Sequence, residues 1–155
     1  MMVAGSARQR SLFVYHLHMG GPNADAQEWA ALLSPRFDPR LRNMGVTHVD
    51  SAAAADIVVV TGLLLERNLD AVLTELASMP SPSVLIAAGD WAINGGRWAA
   101  ADAPGMAEYP LAHYADVNIS VPGEPPTPQA LIAAIAAAAK LLARPTPRLA
   151  QWSEG

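Results

Sequence analysis

The side chains in this sequence that could do chemistry are a few carboxylates, histidines and arginines set beside glycine- and proline-rich stretches. Glu124 is the one charged residue in Val-Pro-Gly-Glu-Pro-Pro-Thr-Pro, residues 121–128. Asp25 follows the break Met-Gly-Gly-Pro-Asn at 19–23, and Asp90 and Trp91 lie in a second glycine-bounded stretch, 89–96. Carboxylates at such loops can ligate hard metal ions or carry protons. For Asp90, capping the segment after Gly89 is the simpler role than proton relay. His16 and His18 stand two apart in Ser-Leu-Phe-Val-Tyr-His-Leu-His, which places them on one face of a strand. That spacing is open to metal ligation, but hydrogen-bonded core or interface histidines are the preferred reading. Arg36, Arg40 and Arg42 cluster between two prolines and a glycine and could hold an anionic ligand or a quinone headgroup.

Other chemistries are disfavoured. The sequence has no cysteine, hence no disulfide, thiolate metal site or cysteine nucleophile. Its glycines have neither dinucleotide-fingerprint nor Walker spacing, and no lysine follows them. No Ser/His/Asp arrangement stands out. A net charge of -4 without a dense Lys/Arg run argues against nucleic acid. The first ten residues lack the apolar core of a signal peptide. The longest apolar run, 130–139, is far short of the ~20 residues a membrane span needs, so the domain itself is expected to be soluble. Hydrophobic residues make up 52% of the chain and charged ones 15%, a balance that suggests surface covered by partners.

The elements that must position these groups follow from periodicity. Buried strands are expected at 11–18, 55–61, 83–88 and 116–121, rich in β-branched residues and ended by glycine or proline. Helices are expected from Asp25 to about residue 33, over 68–78, and over 128–143, where Thr127 can cap and Pro128 suits the first turn. Residues 34–45 read as an ordered loop or short helix with a basic face, and 89–96 and 97–115 as irregular. Residues 1–10 form a flexible arm, 11–143 a single domain, and 144–155 an extended tail carrying Trp152. The fold class is α/β: a small doubly wound parallel sheet of about four strands with helices on both faces. The carboxyl ends of parallel strands share one edge, so the loops at 19–24, 89–96 and 121–128 should converge there.

At those loops the chain resembles a known family. The matching stretches are Gly20-Gly21-Pro22-Asn23-Ala24-Asp25, Leu33-Ser34-Pro35-Arg36-Phe37-Asp38 and Ala55-Asp56-Ile57-Val58-Val59-Val60-Thr61-Gly62. Gly89-Asp90-Trp91-Ala92-Ile93-Asn94-Gly95-Gly96 and Val121-Pro122-Gly123-Glu124-Pro125-Pro126-Thr127-Pro128 complete the set. They resemble, in order and spacing, the small [4Fe–4S]-bearing subunit of NADH-quinone oxidoreductase (the 20 kDa subunit) and of membrane-bound, energy-converting [NiFe] hydrogenases and formate hydrogenlyase. The Gly-Gly-x-Asn spacing is closer to the hydrogenase branch than to the quinone branch, which sets two cysteines side by side. The resemblance implies a flavodoxin-like half-domain whose cluster-ligand positions are Pro22, Asp25, Trp91 and Glu124 here, every one a non-cysteine.

An iron–sulfur cluster needs thiolates. The resemblance therefore implies a cluster socket without a cluster, and no cofactor is expected. Trp91 is expected to fill the socket, with Asp25 and Glu124 near each other at its rim and sharing a cation: Arg97, Arg36 or a partner's arginine. The implied partners are a large hydrogenase- or quinone-oxidoreductase-like subunit and antiporter-like membrane subunits, at the cytoplasmic face of the membrane. Arg36, Arg40 and Arg42 would then form salt bridges to the large subunit, with Arg97 and Trp152 as further interface candidates. The role expected is that of a redox-inactive structural subunit in a hetero-oligomeric membrane complex. The alternative is a stand-alone α/β binding module or carboxylate–metal enzyme using the converged loops, with Asp25, Glu124 and His18 as ligands.

Overall fold

β3 (Ile57–Thr61) and β4 (Val84–Ala88) are buried at every position, as befits β-branched and apolar runs covered on both faces. The computed structural model describes residues 11–21 and 23–144. β1 (Leu12–His18), β2 (Val46–His48) and β5 (Ile119–Val121) complete a five-stranded sheet of order β2-β1-β3-β4-β5, in which every neighbouring pair is parallel. The chain is thus α/β with a parallel sheet flanked by helices. The strand order reverses at β1, so the crevice beyond β1 and β3 is a topological switch point. The register sets His18 beside Thr61 and Ala88 beside Val121 at the carboxyl edge.

Helices cover the two faces. α1 (Ala24–Ala31), α2 (Asp38–Asn43) and α7 (Pro128–Ala143) pack Trp29, Leu41, Leu131 and Ile135 onto Val14, Ile57, Val59 and Ile86. On the other face, α3 (Leu69–Ala77), α4 (Asp90–Asn94) and α6 (Leu111–Tyr114) set Val72, Leu76, Ala92 and Leu111 against Val58, Val60 and Leu85. One more short helix, α5 (Gly96–Ala100), follows α4 directly. Full burial of a Val or Ile side chain stabilises by about 1.5–3 kcal/mol, so the four consecutive apolar residues of β3 anchor both cores at once.

α7 forms where the sequence places it. Thr127 Oγ1 accepts the Ala130 N–H at 3.1 Å, and Pro128 occupies the first turn. Buried Leu131, Ile132, Ala134, Ile135 and Ala138 recur at helical spacing, and the alanines let the helix lie close to the sheet.

Elsewhere local signals are weaker. Beside the four expected strands the sheet has a fifth, β2: it is three residues long, and only Val46 is buried, so alternation cannot reveal it. Residues 34–45 resolve into α2, begun by Asp38 and Pro39. The segment 89–96, expected to be irregular, contains α4, and 97–115 contains α6; helices of four or five residues are too short to show a period. β5 begins at Ile119 rather than 116, because the Asn118 side chain takes the place of a strand partner and accepts the Leu85 N–H at 2.8 Å. The arm at 1–10, Pro22 and the tail residues 145–155 with Trp152 lie outside the described residues. No helix among the described residues is long and apolar enough to cross a membrane.

Candidate functional site

The loops at the carboxyl edge lock together through their backbones. The Gly89 N–H donates to Val121 O, and the Asp90 N–H to Gly123 O, each at 2.8 Å. Asp90 Oδ1 in turn accepts the Gly123 N–H at 2.8 Å, so Asp90 clasps the 121–128 segment rather than capping the segment after Gly89, where α4 has no side-chain cap. On the other side the Met19 N–H reaches Thr61 O, and the Leu63 N–H reaches Gly20 O. Two glycines make the convergence possible. Gly62 (φ 84°) and Gly89 (φ 94°) have backbones that side chains rarely adopt. A Cβ at Gly62 would lie 2.5 Å from Gly20 O and 2.7 Å from His18 Cε1, and one at Gly89 would overlap the Asp25 carboxylate.

Trp91 points inward from α4 and is only 7% exposed. Its Nε1–H donates to Glu124 Oε1 at 2.7 Å. Arg97, on α5, donates from Nε to Glu124 Oε1 and from Nη2 to Oε2, both at 3.3 Å. The Arg97 hydrogen bond is the main reason the Glu124 carboxyl lies below its ordinary value; desolvation opposes it and the Trp91 N–H assists. Of the cations expected at the rim, Arg97 meets Glu124 but is not shared with Asp25.

Asp25 sits deeper than a rim position. It lies in the first turn of α1, is 0% exposed, and presents both carboxylate oxygens to the interior with no hydrogen-bond partner. Burial, followed by the negative charges of Asp90 and Glu124, pushes its carboxyl up to about 6; the Gly62 backbone is near enough to pull slightly the other way. Arg36, the other cation considered for it, lies instead with its guanidinium 5.3 Å from the centre of the Phe37 ring.

The two histidines converge on Thr61, a fully buried hydroxyl. His16 Nε2 lies 2.8 Å and His18 Nδ1 3.0 Å from Thr61 Oγ1. The rings of His16 and Trp29 sit 5.4 Å apart. Burial, then the neighbouring His18, lowers His16 to about 4, and His18 Nε2 is buried without a partner. Among the described residues no group of three His, Cys, Asp or Glu side chains is placed to hold a metal ion. Asp25, Glu124 and His18 do not make such a set, because both Glu124 oxygens are turned to Trp91 and Arg97. Thr61 was not singled out from the sequence, although it is the sole hydroxyl ending the apolar run Ile57-Val58-Val59-Val60-Thr61 and faces His18 across the register.

The sequence profile of the family described as NADH ubiquinone oxidoreductase, 20 Kd subunit, matches residues 18–138. The chain belongs to this family. A probable membrane-bound hydrogenase subunit of Pyrococcus furiosus is 33% identical over 135 residues, covering 87% of this chain and 78% of the relative. Formate hydrogenlyase subunit 7 of Escherichia coli is 31% identical over 141 residues, covering 86% of this chain and 51% of its own length. Subunit K of the NAD(P)H-quinone oxidoreductase of Picosynechococcus is 32% identical over 108 residues, with 70% of this chain and 43% of the relative covered. This chain therefore spans about half or less of those last two proteins. The fold is also that of a chain in the membrane-bound sulfane sulfur reductase, an archaeal respiratory membrane complex, with a TM-score of 0.71, 24% identity, and coverage of 88% and 72% of the two chains.

Arg36, Arg40 and Arg42 are all exposed, beside Leu33 at 51% exposure. Arg42 already has an internal partner: its Nε lies 2.6 Å from Asp38 Oδ2. A separate groove of about 860 Å³ opens at the opposite edge of the sheet, lined by Leu76, Met79, Pro82 and Tyr114 among others. It is remote from the glycine-bounded loops.

Proposed function

We propose that this chain is a cluster-less, redox-inactive structural subunit of a membrane complex related to hydrogenases and NADH-quinone oxidoreductase. The observation that carries this reading is the pairing of the family's fold and loops with a sequence that has no cysteine at all. A [4Fe–4S] cluster is held by thiolates. The donors available at the corresponding positions do not fit it: Trp91 Nε1 is a donor engaged with Glu124, and Asp25 and Glu124 offer hard carboxylate oxygens. Pro22 has no ligating side chain. Trp91 instead fills the space as packed aromatic volume, and Arg97 neutralises the carboxylate at the 121–128 wall.

What remains is scaffolding. The chain would join a large hydrogenase- or quinone-oxidoreductase-like subunit to antiporter-like membrane subunits, on the cytoplasmic face. The relatives named as membrane-bound hydrogenase and formate hydrogenlyase subunits support a hetero-oligomer of this kind. The exposed arginines beside Leu33 are the surface we assign to the large subunit, with Arg40 as its least encumbered cation.

The test has two arms. The chain produced alone and incubated with iron and sulfide under reducing conditions is expected to bind neither in stoichiometric amount. A broad visible absorption with near-stoichiometric iron and acid-labile sulfide would overturn the cluster-less reading. A tagged chain purified from native membranes is expected to bring down the large subunit and the membrane subunits, identified by mass spectrometry, in defined ratio. Recovery as a lone monomer or symmetric homo-oligomer would overturn the scaffold.

A further inference from the structure

The lost-ligand account gives no role to three buried atoms that lack partners: both Asp25 oxygens and His18 Nε2. Buried polar atoms in folded proteins are nearly always satisfied, by protein or by ordered water. These three gather around one glycine. The Gly62 backbone faces the Asp25 carboxylate, and a Cβ there would strike the His18 ring at 2.7 Å. From His18 a hydrogen-bonded path leads away: Nδ1 to Thr61 Oγ1 at 3.0 Å, then Thr61 Oγ1 to His16 Nε2 at 2.8 Å. Asp25 is fully buried, whereas His16 is only half-buried.

We propose that Asp25, His18, Thr61 and His16 form a proton relay running from the fully buried Asp25 to the half-buried His16, with one ordered water joining Asp25 to His18 Nε2. The relay uses this chain's own side chains and does not depend on any partner or cofactor. A hydroxyl has one proton to donate, and Thr61 lies between two ring nitrogens. It therefore donates to one histidine while accepting from the other, which ties the two tautomers together. When Asp25 is protonated, its O–H bonds toward His18 Nε2. The His18 proton then sits on Nδ1 and is donated to Thr61, whose own O–H points at His16 Nε2, leaving the His16 proton on Nδ1. Transfer moves one proton at each link. The carboxyl proton passes to His18 Nε2, the Nδ1 proton to Thr61 Oγ1, and the Thr61 proton to His16 Nε2, after which His16 sheds its Nδ1 proton at the edge. Asp25 is left as carboxylate, both rings are neutral with protons on Nε2, and no electron moves.

The surroundings suit these roles. Asp90 from α4 and Glu124 from the 121–128 segment face Asp25 with negative charge, and Arg97 of α5 is committed to Glu124, so the fold favours holding a proton at Asp25. At the far end, His16 is packed against Trp29, which in turn meets the His48 ring 6.0 Å away, and burial keeps His16 neutral. A neutral His16 passes a proton on without storing it.

The experiment is a titration of the full chain by NMR, following the Asp25 side-chain carbon and the ring nitrogens of His16 from about pH 5 to about pH 8, a window that spans the ordinary histidine value. The expected result is that His16 exchanges its Nδ1–H tautomer for Nε2–H with the same midpoint as Asp25. In Asp25→Asn the exchange should vanish. In Thr61→Val it should vanish at His16 while Asp25 still titrates, and Thr61→Ser should restore it, which separates relay from misfolding. A His16 tautomer that stays constant through the Asp25 midpoint, or that switches identically in Asp25→Asn, would overturn the relay.

Discussion

Trp91 and Glu124 meet through an indole N–H to carboxylate hydrogen bond of 2.7 Å, joining α4 to the proline-rich segment that follows β5. Their side chains come from segments 33 residues apart in sequence. Trp91 contributes buried ring area, and its one polar atom is satisfied by a carboxylate that Arg97 holds from the solvent side. Apolar packing and a charge-assisted bond thus act on the same wall of the socket.

Removal of the Trp91 ring should be costly. Trp91→Ala leaves a cavity and withdraws a donor from Glu124, and large-to-small changes of this kind cost about 3–5 kcal/mol. Trp91→Phe keeps most of the volume and loses only the N–H, so its loss should be clearly smaller. Urea denaturation of the two variants measures the difference. Equal, small effects would show that the ring does not fill the socket.

The Arg97 contact is of another kind, because its side chain is 69% exposed. Exposed ion pairs contribute little to stability, so Arg97→Ala should barely change melting. It should, however, raise the Glu124 carboxyl back toward its ordinary value, since Arg97 is the main cause of the lowering. The sign follows from linkage: a lowered carboxylate favours the fold above its unfolded value, and that advantage disappears as pH falls through the folded one. Carbon-detected NMR titration of Glu124 in both proteins checks this; an unmoved midpoint would assign the lowering to another group.

Several of these features were legible in the sequence because they are local. Thr127 and Pro128 announce the start of α7 by themselves, and the run from Ile57 to Thr61 announces a strand buried on both faces. The convergence of the loops follows from strands that all run parallel, and the resemblance to the family points to Trp91 and Glu124. What was illegible depends on partners distant in sequence. β2 exists because its backbone pairs with β1, not because Val46, Thr47 and His48 alternate. Asp25 is expected at the rim of the socket, yet Gly89, which follows β4, closes over it. Thr61 became a polar hub only when the register placed it beside His18.

The buried Asp25 should leave a distinct mark on the pH profile. Its carboxyl is raised from 3.8 to about 6 in the fold, so between those values the native state holds a proton that the unfolded chain has released. Stability from this group is complete below the unfolded value and is lost as pH rises through about 6. The loss is on the order of 3 kcal/mol at ~1.4 kcal/mol per pH unit. Asp25→Asn cannot ionise, so its stability should not fall over that range, and the variant should gain on the wild type as pH rises toward 7. Chemical denaturation across the window, in both proteins, reads the slope; parallel slopes would mean that Asp25 does not titrate in it.

Gly89 links this carboxylate to the backbone and separates two causes of strain. Its φ of 94° and ψ of 152° lie where essentially only glycine is found. A Cβ there would also overlap the Asp25 carboxylate. Gly89→Ala should therefore destabilise through backbone strain of about 1–3 kcal/mol and, in addition, through the collision. In an Asp25→Ala background the collision is gone and the backbone strain stays, so Gly89→Ala should cost less there. Denaturation of the two single variants and the double variant gives the coupling directly. Strictly additive losses would show that the carboxylate does not lie against Gly89 and that the backbone alone requires the glycine.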